Sequence, residues 1–460
     1  MEVEIISQEN IKPSSPTPQH LRVFKLSLLD QFMPSIYVHL LLFYDFSKND
    51  RHCGNHYLHH QHSTLERLQL LKKSLSETLT LFYPLAGKMK DDFSIDCDDE
   101  GANCLEARVN CTLHQFLFKP DLVLLHKFLP CQPLLSTRSV AGTYVTNIQV
   151  NVFECGGIAI GMSISHKIVD GAALSTFLEV WSANARDNTC NKNIDIGDLL
   201  SVSFVSTSLF PATEDPWLRD SATEMWGSLL KEAKFVTRRF VFDAPAIASL
   251  KDRARSSTRV EAVSALIWKC TMAASQQKHG ISRRRLLTHT VNLRTRMSHP
   301  ASKNSLGNQV WIASARLRAD EERDLDQLAR EVRVGISKIN GDFVKEIGGK
   351  KGKEMMLDCV TKIGAFGSNE EEEYLGFTSW CKLGFYEADF GWGKPLWVSS
   401  IGFEAPIFMN YVALIDTRLG DGIEAWITMD EEEMIILQND NNLLNYASID
   451  PTPSMVVQSM

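Results

Sequence analysis

The sequence is poor in cysteine, and the few cysteines that it has are scattered. Ten occur in 460 residues, and no two of them are arranged as Cys-x-x-Cys. Small secreted domains that depend on disulfides carry cysteine at a much higher density. The composition therefore excludes a disulfide scaffold and favours a reducing compartment.

Long apolar runs are also missing. The most apolar stretch, Met33 to Tyr44, is only twelve residues long and contains a histidine, whereas a membrane-spanning helix needs about 20 apolar residues. The first thirty residues have neither an apolar core nor a small-residue cleavage site, so they do not resemble a secretory signal. We expect a soluble, cytoplasmic protein without a membrane partner, in which Met33 to Tyr44 is a buried strand.

An excess of positive charge is absent as well. The chain has 48 Lys and Arg against 56 Asp and Glu, which gives a formal net charge of −8, so a nucleic-acid partner is not expected. The hydrophobic fraction of 44% is ordinary for a globular protein. Because a single core stops growing at about 250–300 residues, the length predicts at least two domains.

What the sequence does contain is a mixture of helix and strand patterns. Leucines at helical spacing predict a helix over Glu66 to Phe82. Alternating residues over Asn147 to Phe153, a glycine turn and the apolar run Ile158 to Ser165 predict a β-hairpin. After Gly171 the period changes to that of a helix, which we expect to end near Arg186.

Periodicity is lost between Asp187 and about Asp220, and we place the crossover between domains there. The second half again mixes both patterns. It predicts strands at Arg238–Phe242, Leu287–Leu293, Ile407–Asp416 and Ile423–Met429, and helices at Pro245–Arg255, Arg259–Ser275 and Leu325–Asn340. Mixed elements in both halves predict two α/β domains of similar size.

Several polar stretches are interpreted without a chemical role. The histidine-rich stretch Arg51 to His62 is predicted to be a polar loop, and no metal site is expected. Glu370–Glu373 is predicted to be a solvated loop, Arg283–Arg285 a solvated turn and Gly348–Lys353 a mobile basic loop.

A histidine with an acid four residues later stands at the predicted strand-to-helix junction, in Ser165-His166-Lys-Ile-Val-Asp170-Gly171. The bare spacing is weak evidence, since about one match is expected by chance. The context is stronger, because a general base needs an exposed nitrogen on a rigid support and core packing explains a histidine at this place poorly. On this local evidence both core packing and catalysis stay open.

A second motif is too specific to arise by chance, because Asp389-Phe390-Gly391-Trp392-Gly393 specifies five consecutive residues. Together the two motifs resemble the His-x-x-x-Asp-Gly and Asp-Phe-Gly-Trp-Gly signatures of the plant BAHD acyltransferases. The resemblance extends nearly end to end, through Leu26–Asp30, Tyr83–Lys88, Val291–Arg294, Ser305–Asn308 and Phe377–Trp380. Within the family the chain is most similar to the clade of alkaloid and alcohol acetyltransferases.

The resemblance implies an α/β fold of two chloramphenicol-acetyltransferase-like domains, each a mixed β-sheet with flanking helices, around a central channel. We expect an amino-terminal domain over residues 1–200, a crossover loop over 201–221 and a carboxy-terminal domain over 222–460. A segment near 388–409 is expected to join the sheet of the first domain. Acceptor and coenzyme A would enter the channel from opposite faces.

The resemblance also implies roles for the residues of this chain that match the family motifs. The resemblance implies that His166 is the general base, whereas Asp170 pairs with Arg294 to hold the loop and orient the site. Direct action of Asp170 in a catalytic triad is the alternative. Structural support on the coenzyme side is implied for Asp389, Gly391, Trp392 and Gly393.

The channel and the coenzyme contacts are assigned in the same way. Thr378, Ser379 and Trp380 are implied to line the acyl and acceptor channel, where a donor to the oxyanion would sit. Thr258 and Arg259 are implied as coenzyme A contacts. Other cations considered for the phosphates are Arg283–Arg285 and Lys394.

The resulting expectation is an acyl-CoA-dependent O-acyltransferase. Acyl-CoA, with acetyl-CoA preferred, is the co-substrate, no cofactor stays bound, and the acceptor is a small-molecule alcohol such as an alkaloid or a terpenoid. The enzyme is expected to be a monomer. Two alternatives remain: a condensation domain, although Ser165 replaces the first residue of its His-His-x-x-x-Asp-Gly motif, and a binding protein that kept the scaffold without turnover.

Overall fold

Strands and helices alternate in both halves of the chain. A computed structural model of the protein describes residues 1–46, 63–131, 140–190, 202–213, 217–255, 257–299, 303–319, 321–369 and 371–453. The strands are β1 (Val3–Ile11), β2 (Val23–Lys25), β3 (Tyr37–Tyr44), β4 (Lys88–Met89), β5 (Ser94–Asp96), β6 (Ala102–Val109), β7 (Thr146–Phe153), β8 (Ile158–Ser165), β9 (Lys231–Phe242), β10 (Arg284–Asn292), β11 (Val310–Leu317), β12 (Glu372–Ser379), β13 (Trp397–Ser399), β14 (Glu404–Phe408), β15 (Tyr411–Asp416), β16 (Ile423–Asp430) and β17 (Ser448–Ile449). The α-helices are α1 (Leu28–Phe32), α2 (Thr64–Leu81), α3 (Leu113–Phe118), α4 (Gly171–Cys190), α5 (Ser206–Leu209), α6 (Trp217–Ser228), α7 (Ala244–Arg253), α8 (Arg259–His279), α9 (Leu325–Ser337), α10 (Gly341–Ile347), α11 (Gly352–Gly367), α12 (Glu431–Leu437) and α13 (Asn441–Leu444).

The first sheet carries the histidine of the candidate motif. Its six strands lie in the order β1-β6-β7-β8-β3-β13, and only β6 and β7 pair in parallel. On β3, Val38, Leu40 and Leu42 alternate onto one face, where they pack with apolar residues of α2 and α4. Because alternate residues of a strand point to the same side of the sheet, these three side chains share one face. The two helices cover that face.

Local sequence signals explain where the helices begin. At α2 the Ser63 hydroxyl accepts from the backbone N–H of Glu66, whose carboxylate accepts in return from the N–H of Ser63. The same capping box, formed by Thr258 and Glu261, opens α8. Each box satisfies two of the four N–H groups that a helix start leaves unpaired.

The second sheet has eight strands, in the order β11-β10-β12-β15-β16-β9-β14 with β17 beside β9. The pairs β10–β12 and β12–β15 are parallel, and the other pairs are antiparallel. One face packs against buried residues of α7, α8, α9 and α12. The opposite face, with α6 and α11, forms a separate cluster that includes Phe32 and Trp311. A small three-stranded sheet, β2-β5-β4, lies apart from both.

A strand from late in the chain joins the two sheets. β13 pairs antiparallel with β3 at the edge of the first sheet, where Trp397 lies opposite Phe43. The Trp397 ring also stacks on Trp426 of β16, with 6.0 Å between ring centroids. An apolar cluster that includes Leu41 of the first sheet and Ile415 of the second fills this contact. The halves of the chain therefore share a hydrophobic core.

The predicted fold class is confirmed, since both halves form sheets with flanking helices. The predicted helix over Glu66 to Phe82 is observed as α2, and the predicted hairpin as the antiparallel pair β7 and β8. The strand β1 was not predicted, because its exposed side chains are mostly polar and lack an alternating pattern. None of the helices in the described ranges combines the length and the apolarity needed to cross a membrane.

The prediction of one strand over Ile407 to Asp416 is wrong. β14 ends at Phe408 and pairs with β9, whereas β15 begins at Tyr411 and lies between β12 and β16. The backbone oxygen of Asn410, between them, accepts from the N–H of Gly376 in β12. A continuous apolar pattern does not show that the chain changes strand partners, so this break was not foreseen.

The predictions of a solvated acidic loop at Glu370–Glu373 and a solvated turn at Arg283–Arg285 are also wrong. Glu372 and Glu373 begin β12, and they lie directly opposite Arg284 and Arg285 of the parallel strand β10. Arg285 is buried, and its Nε lies 3.1 Å from a carboxylate oxygen of Glu373. The acidic run and the basic run therefore neutralise each other across the sheet. The sequence of either run alone does not indicate this pairing.

The predicted crossover is more structured than expected. α4 continues to Cys190, α5 occupies Ser206–Leu209 and α6 begins at Trp217. The loop predicted at Gly348–Lys353 is shorter, because α11 already begins at Gly352. The histidine-rich stretch lies outside the described residues, so its interpretation stays a prediction.

Gly161 of β8 lies so close to the backbone of Phe128 that no side chain fits between them. A Cβ atom on Gly161 would lie 2.1 Å from the backbone oxygen of Phe128, far inside contact distance. We expect Gly161→Ala to lower the free energy of unfolding by about 3 kcal/mol or more, because backbone must shift to admit the methyl group.

The matched control is Gly364→Ala in α11, where the nearest atom to a new Cβ lies 3.8 Å away. This change should stabilise the protein by about 1 kcal/mol, since alanine is the better helix former. Thermal and urea unfolding of both variants measure the effects. Equal shifts of the same sign would contradict the packing argument.

Candidate active site

One large cavity lies between the two sheets. It has a volume of about 590 Å³ and is lined by both halves of the chain, from His166 on one side to Trp311 and Phe403 on the other. This volume is within the range of about 300–1,000 Å³ that small-molecule sites occupy. The residues from the sequence prediction that line it are His166, Asp170, Thr378, Ser379 and Trp380.

His166 lies at the end of β8, where the backbone holds it rigidly. Its N–H donates to the backbone oxygen of Ile36 at 2.8 Å, and its own backbone oxygen accepts from Nδ2 of Asn308 at 2.7 Å. The half-buried ring faces the cavity, and its Nδ1 lies 3.1 Å from Oδ1 of Asn308. Since an amide oxygen only accepts, Nδ1 carries the proton and Nε2 keeps the basic lone pair.

Asn308 is in turn held by a buried acid. Its backbone N–H and its Nδ2 both donate to Oδ1 of Asp30, at 2.6 and 2.9 Å. The second carboxylate oxygen of Asp30 accepts from the N–H and the hydroxyl of Ser27, at 2.9 and 2.6 Å. Burial raises the pKa of Asp30, and these hydrogen bonds act in the opposite direction. The network therefore orients the His166 ring through Asn308.

Asn308 was given no role from the sequence. It is part of the word Ser305-Leu-Gly-Asn308, which carried the family resemblance, but nothing in the sequence places it beside His166. The two residues are 142 positions apart and come from different halves of the chain. The only signal available in the sequence was that this segment matches the family.

The electrostatics around His166 favour the neutral ring. Burial lowers the pKa of His166, while a hydrogen bond to its own backbone, the charge of Asp170 and the hydrogen bond to Asn308 act against this shift. The imidazole is consequently unprotonated at neutral pH, which is the form that a general base requires.

Asp170 faces away from His166. Its Oδ2 accepts from Nη1 of Arg294 at 2.7 Å and from the backbone N–H of Gln309 at 2.9 Å, and its Oδ1 accepts from the N–H of Ala173 in the first turn of α4. Between His166 and Asp170, both in the described ranges, the structure shows no hydrogen bond. The carboxylate therefore holds the turn and the opposite domain together.

Arg294 extends this contact to the loop that carries Asn308. Its Nη2 donates to the backbone oxygens of Ser305 and Gly307, at 3.0 and 2.8 Å. Gly307 has φ of +110°, and a Cβ atom there would lie 2.7 Å from the Ser206 hydroxyl. Glycine is needed at this position for both its backbone conformation and its size.

The second motif forms a turn outside the cavity lining. Oδ1 of Asp389 accepts from the N–H groups of Gly391 and Gly393, both at 2.8 Å. Both glycines have positive φ, 101° and 104°, which favours glycine over any other residue. Between them, Trp392 stacks on Phe390, which packs on Trp181 of α4. The turn thus braces α4, whose first residues follow Asp170.

The predicted channel residues lie around the start of α4. The indole of Trp380 would lie 3.1 Å from a Cβ atom on Gly171, so the ring packs directly against the first turn of the helix. Thr378 lies on β12 opposite Ala413 of the neighbouring strand β15. These side chains form one wall of the cavity on the side of the second domain.

The predicted coenzyme contacts are not brought to the cavity wall. Thr258 caps α8, and Arg259 pairs with Asp416 and donates to the backbone oxygen of Gly420 at 2.6 Å. Lys394 pairs with Glu387 on the surface. Within the described ranges, no group of three or more His, Cys, Asp and Glu side chains is arranged to hold a metal ion.

Known proteins are similar to this chain over nearly its whole length. Residues 1–444 match the Transferase family. The chain is 44% identical to a limonoid 7-O-acetyltransferase of Citrus sinensis over 98% of its own length and 100% of the relative. It is 43% identical to an epi-neemfruitin B 7-O-acetyltransferase of Melia azedarach, again over 98% and 100%. The crystal structure of vinorine synthase superimposes with a TM-score of 0.78 at 32% identity, over 97% of this chain and 99% of that one.

The chain therefore belongs to the BAHD family of acyltransferases. It is an acyl-CoA-dependent O-acyltransferase of specialised metabolites, in which the coenzyme is a co-substrate.

The ion pair of Asp170 with Arg294 leads to a test of the triad alternative. We expect Asp170→Asn to lower both the rate of acyl transfer and the thermal stability, because Arg294 would stay buried without its counter-charge, a loss of about 3–5 kcal/mol. The control is Asp358→Asn, which removes one partner of an exposed pair on α11. Loss of activity without a change in melting would instead favour a triad.

The depressed pKa of His166 has a kinetic consequence. Only the unprotonated ring accepts a proton, so kcat/KM falls as the pH falls through the pKa of His166. Because burial places this pKa below its ordinary value of 6.5, we expect the rate at pH 6.5 to exceed half of its plateau. Profiles of kcat/KM, with circular dichroism to verify folding at each pH, measure it. A limb centred above pH 6.5 would contradict the prediction.

Proposed function

We propose that the protein transfers an acetyl group from acetyl-CoA to a hydroxyl group of a polycyclic terpenoid alcohol of the limonoid type. The observation that carries the proposal is the His166 ring, held by Asn308 with its basic nitrogen free, on the wall of a cavity between two domains. The acyltransferase class follows from the family, whereas the acetyl donor and the acceptor are inferred.

His166 acts as the general base in this proposal. An alcohol is far too weak an acid to attack a thioester at neutral pH unless its proton is removed as the new bond forms. The Nε2 atom takes that proton because Nδ1 is already engaged with Asn308. The fixed ring orientation then keeps the lone pair directed at the bound acceptor.

The reaction is a direct transfer. The acceptor oxygen attacks the carbonyl carbon of the thioester and forms a carbon–oxygen bond, giving a tetrahedral oxyanion. When this collapses, the carbon–sulfur bond breaks and the imidazolium returns the proton to the thiolate of coenzyme A. Charge balances without an acyl-enzyme. Binding both substrates in one cavity replaces a bimolecular encounter by an oriented one, which is a large contribution in general.

The remaining predicted residues support this chemistry in distinct ways. Thr378, Ser379 and Trp380 form the wall beside the reacting groups, where a donor to the oxyanion belongs. Asp170 and Arg294 position the turn after His166, and the turn at Asp389–Gly393 braces α4. Thr258 and Arg259 are proposed as contacts of the coenzyme outside the cavity.

The acceptor class is supported by the size of the cavity and by the relatives. A volume of about 590 Å³ accommodates a multiring skeleton, and the walls include large apolar side chains such as Trp226, Trp311 and Phe403. Relatives that match over nearly their full length are named as limonoid O-acetyltransferases. Acetyl-CoA as the donor is supported by the same names.

We further propose that the enzyme is a cytoplasmic monomer with domains at 1–200 and 222–460. A single chain supplies every wall of the cavity described above, so no second copy is required to complete it. Eight of the ten cysteines are free thiols in the structure, in agreement with a reducing compartment. Light scattering coupled to size-exclusion chromatography tests the oligomeric state.

Replacement of the base gives the direct test. His166→Ala should lower kcat by about 10²- to 10⁴-fold, the usual contribution of a positioned general base, while coenzyme A binding and the melting temperature stay nearly unchanged. His20→Ala, at an exposed position, is the control and should have full activity. Unchanged turnover in His166→Ala would remove this residue from the mechanism.

A matrix of acyl-CoA donors against alcohol classes, read by product mass and thiol release, tests the substrates. We expect acetyl-CoA with polycyclic terpenoid alcohols to give the highest kcat/KM. An acetyl label that stays on the denatured protein after incubation with acetyl-CoA alone would contradict direct transfer. Faster turnover of alkaloid or small aliphatic alcohols would contradict the acceptor class.

A further inference from the structure

The cavity wall contains a second histidine that the mechanism does not use. His39 lies on β3 and lines the same cavity as His166. On its face of the strand the next residues are Leu41 and Phe43, which belong to an apolar cluster. An imidazole in this row is therefore an exception to the apolar pattern.

One ring nitrogen of His39 is held by the neighbouring strand. His39 lies opposite Ser163 of β8, and its Nδ1 is 2.8 Å from the Ser163 hydroxyl. The side chain is only 8% exposed, so the ring has little freedom to turn. Its orientation is fixed in the way that site residues require.

The other ring nitrogen has no partner. Within the described part of the chain, Nε2 of His39 makes no hydrogen bond. Neighbouring polar groups on the cavity wall are engaged, since the Tyr37 hydroxyl donates to the backbone oxygen of Tyr144 at 2.8 Å and the hydroxyls of Thr288 and Tyr374 lie 2.8 Å apart. Nε2 of His39 is not one of the fully buried side-chain atoms that lack a partner, so it is open to the cavity, where a polar group of a bound molecule can pair with it.

We propose that Nε2 of His39 hydrogen-bonds a second oxygen of the acceptor, remote from the hydroxyl group that is acetylated. This inference rests on the proposed function and narrows its substrate class to polycyclic alcohols that carry at least two oxygen functions. His39 is thus a specificity-determining residue. It selects which hydroxyl group of a polyoxygenated skeleton reaches His166.

The spacing of the two histidines suits such a molecule. Ser163, opposite His39, precedes His166 by three residues, which corresponds to about 10 Å along a strand. A rigid multiring acceptor with oxygens at both ends spans this distance, whereas a short alcohol does not.

His39 does not act as a second base. Burial lowers the pKa of His39 to about 4, so the ring is neutral at physiological pH and is a weak proton acceptor. A neutral imidazole bonded to a hydroxyl at Nδ1 still offers Nε2 as a donor or as an acceptor, depending on the tautomer. A hydroxyl group on the substrate can satisfy either state.

The test compares His39→Leu with the wild type on matched pairs of acceptors. Each pair is a polycyclic terpenoid alcohol that the wild type acetylates and the analogue in which one remote oxygen is replaced by hydrogen. We expect His39→Leu to lower kcat/KM for the oxygenated member roughly 5- to 150-fold, the range for a lost hydrogen bond in a desolvated site. The deoxy analogue should change less than twofold, and the pH profile should not move.

Three further variants support the comparison. His39→Gln, which keeps a hydrogen-bonding group, should recover part of the discrimination between the two acceptors. Tyr37→Phe is the matched control, because its hydroxyl already has a partner in the protein, and should leave the ratio of the two kcat/KM values unchanged. If His39→Leu does not fold, Ser163→Ala releases the ring and should reduce the same ratio by a smaller factor.

The outcomes separate the two proposals. Equal losses on both members of every pair, or a shifted pH profile in His39→Leu, would overturn the role of His39 while the proposed function stands. A wild type that acetylates no polycyclic alcohol would overturn both.

Discussion

The architecture depends on two buried carboxylates of the first domain that bind consecutive residues of the second. Asp30 accepts from the backbone N–H of Asn308, and Asp170 accepts from that of Gln309. Every residue except proline has a backbone N–H, so these two contacts do not depend on the side chains of Asn308 and Gln309, and they fix the register of the two domains at the site. An isolated buried carboxylate is very unfavourable, and each of these is tolerated because it has several donors. Both the docking of the domains and the orientation of His166 follow from this one arrangement.

Stability and function are consequently difficult to separate in this molecule. Arg294 neutralises Asp170 and at the same time shapes the loop that carries Asn308. The second motif acts at a greater distance, since its glycine turn braces α4 rather than the cavity. These contacts maintain the geometry of His166. Acceptor choice instead rests on wall residues such as His39, which lie outside both motifs.

Sequence patterns within a single segment predicted much of this structure. Contacts between segments that are distant in the sequence could mostly not be predicted from it. Periodicity located α2 and the hairpin of β7 and β8 because each is determined by its own neighbours. The pairing of Glu373 with Arg285 joins two charged runs, and each looks like a solvated segment alone. The family resemblance implied the pairing of Asp170 with Arg294, whereas the roles of Asn308 and His39 became evident only from the three-dimensional structure. The roles of these two residues depend on hydrogen bonds to residues of another strand or of the other domain.

The short strand β13 has a consequence for how the chain must be synthesised and folded. It pairs with β3, so an edge of the first sheet stays open until residues near Trp397 have left the ribosome. Contacts of such large sequence separation form late and slow folding, and an open strand edge is a template for association with other chains. The nascent amino-terminal half therefore exposes a strand edge that the later part of the chain covers. Completion of the whole polypeptide closes this edge and the substrate cavity together.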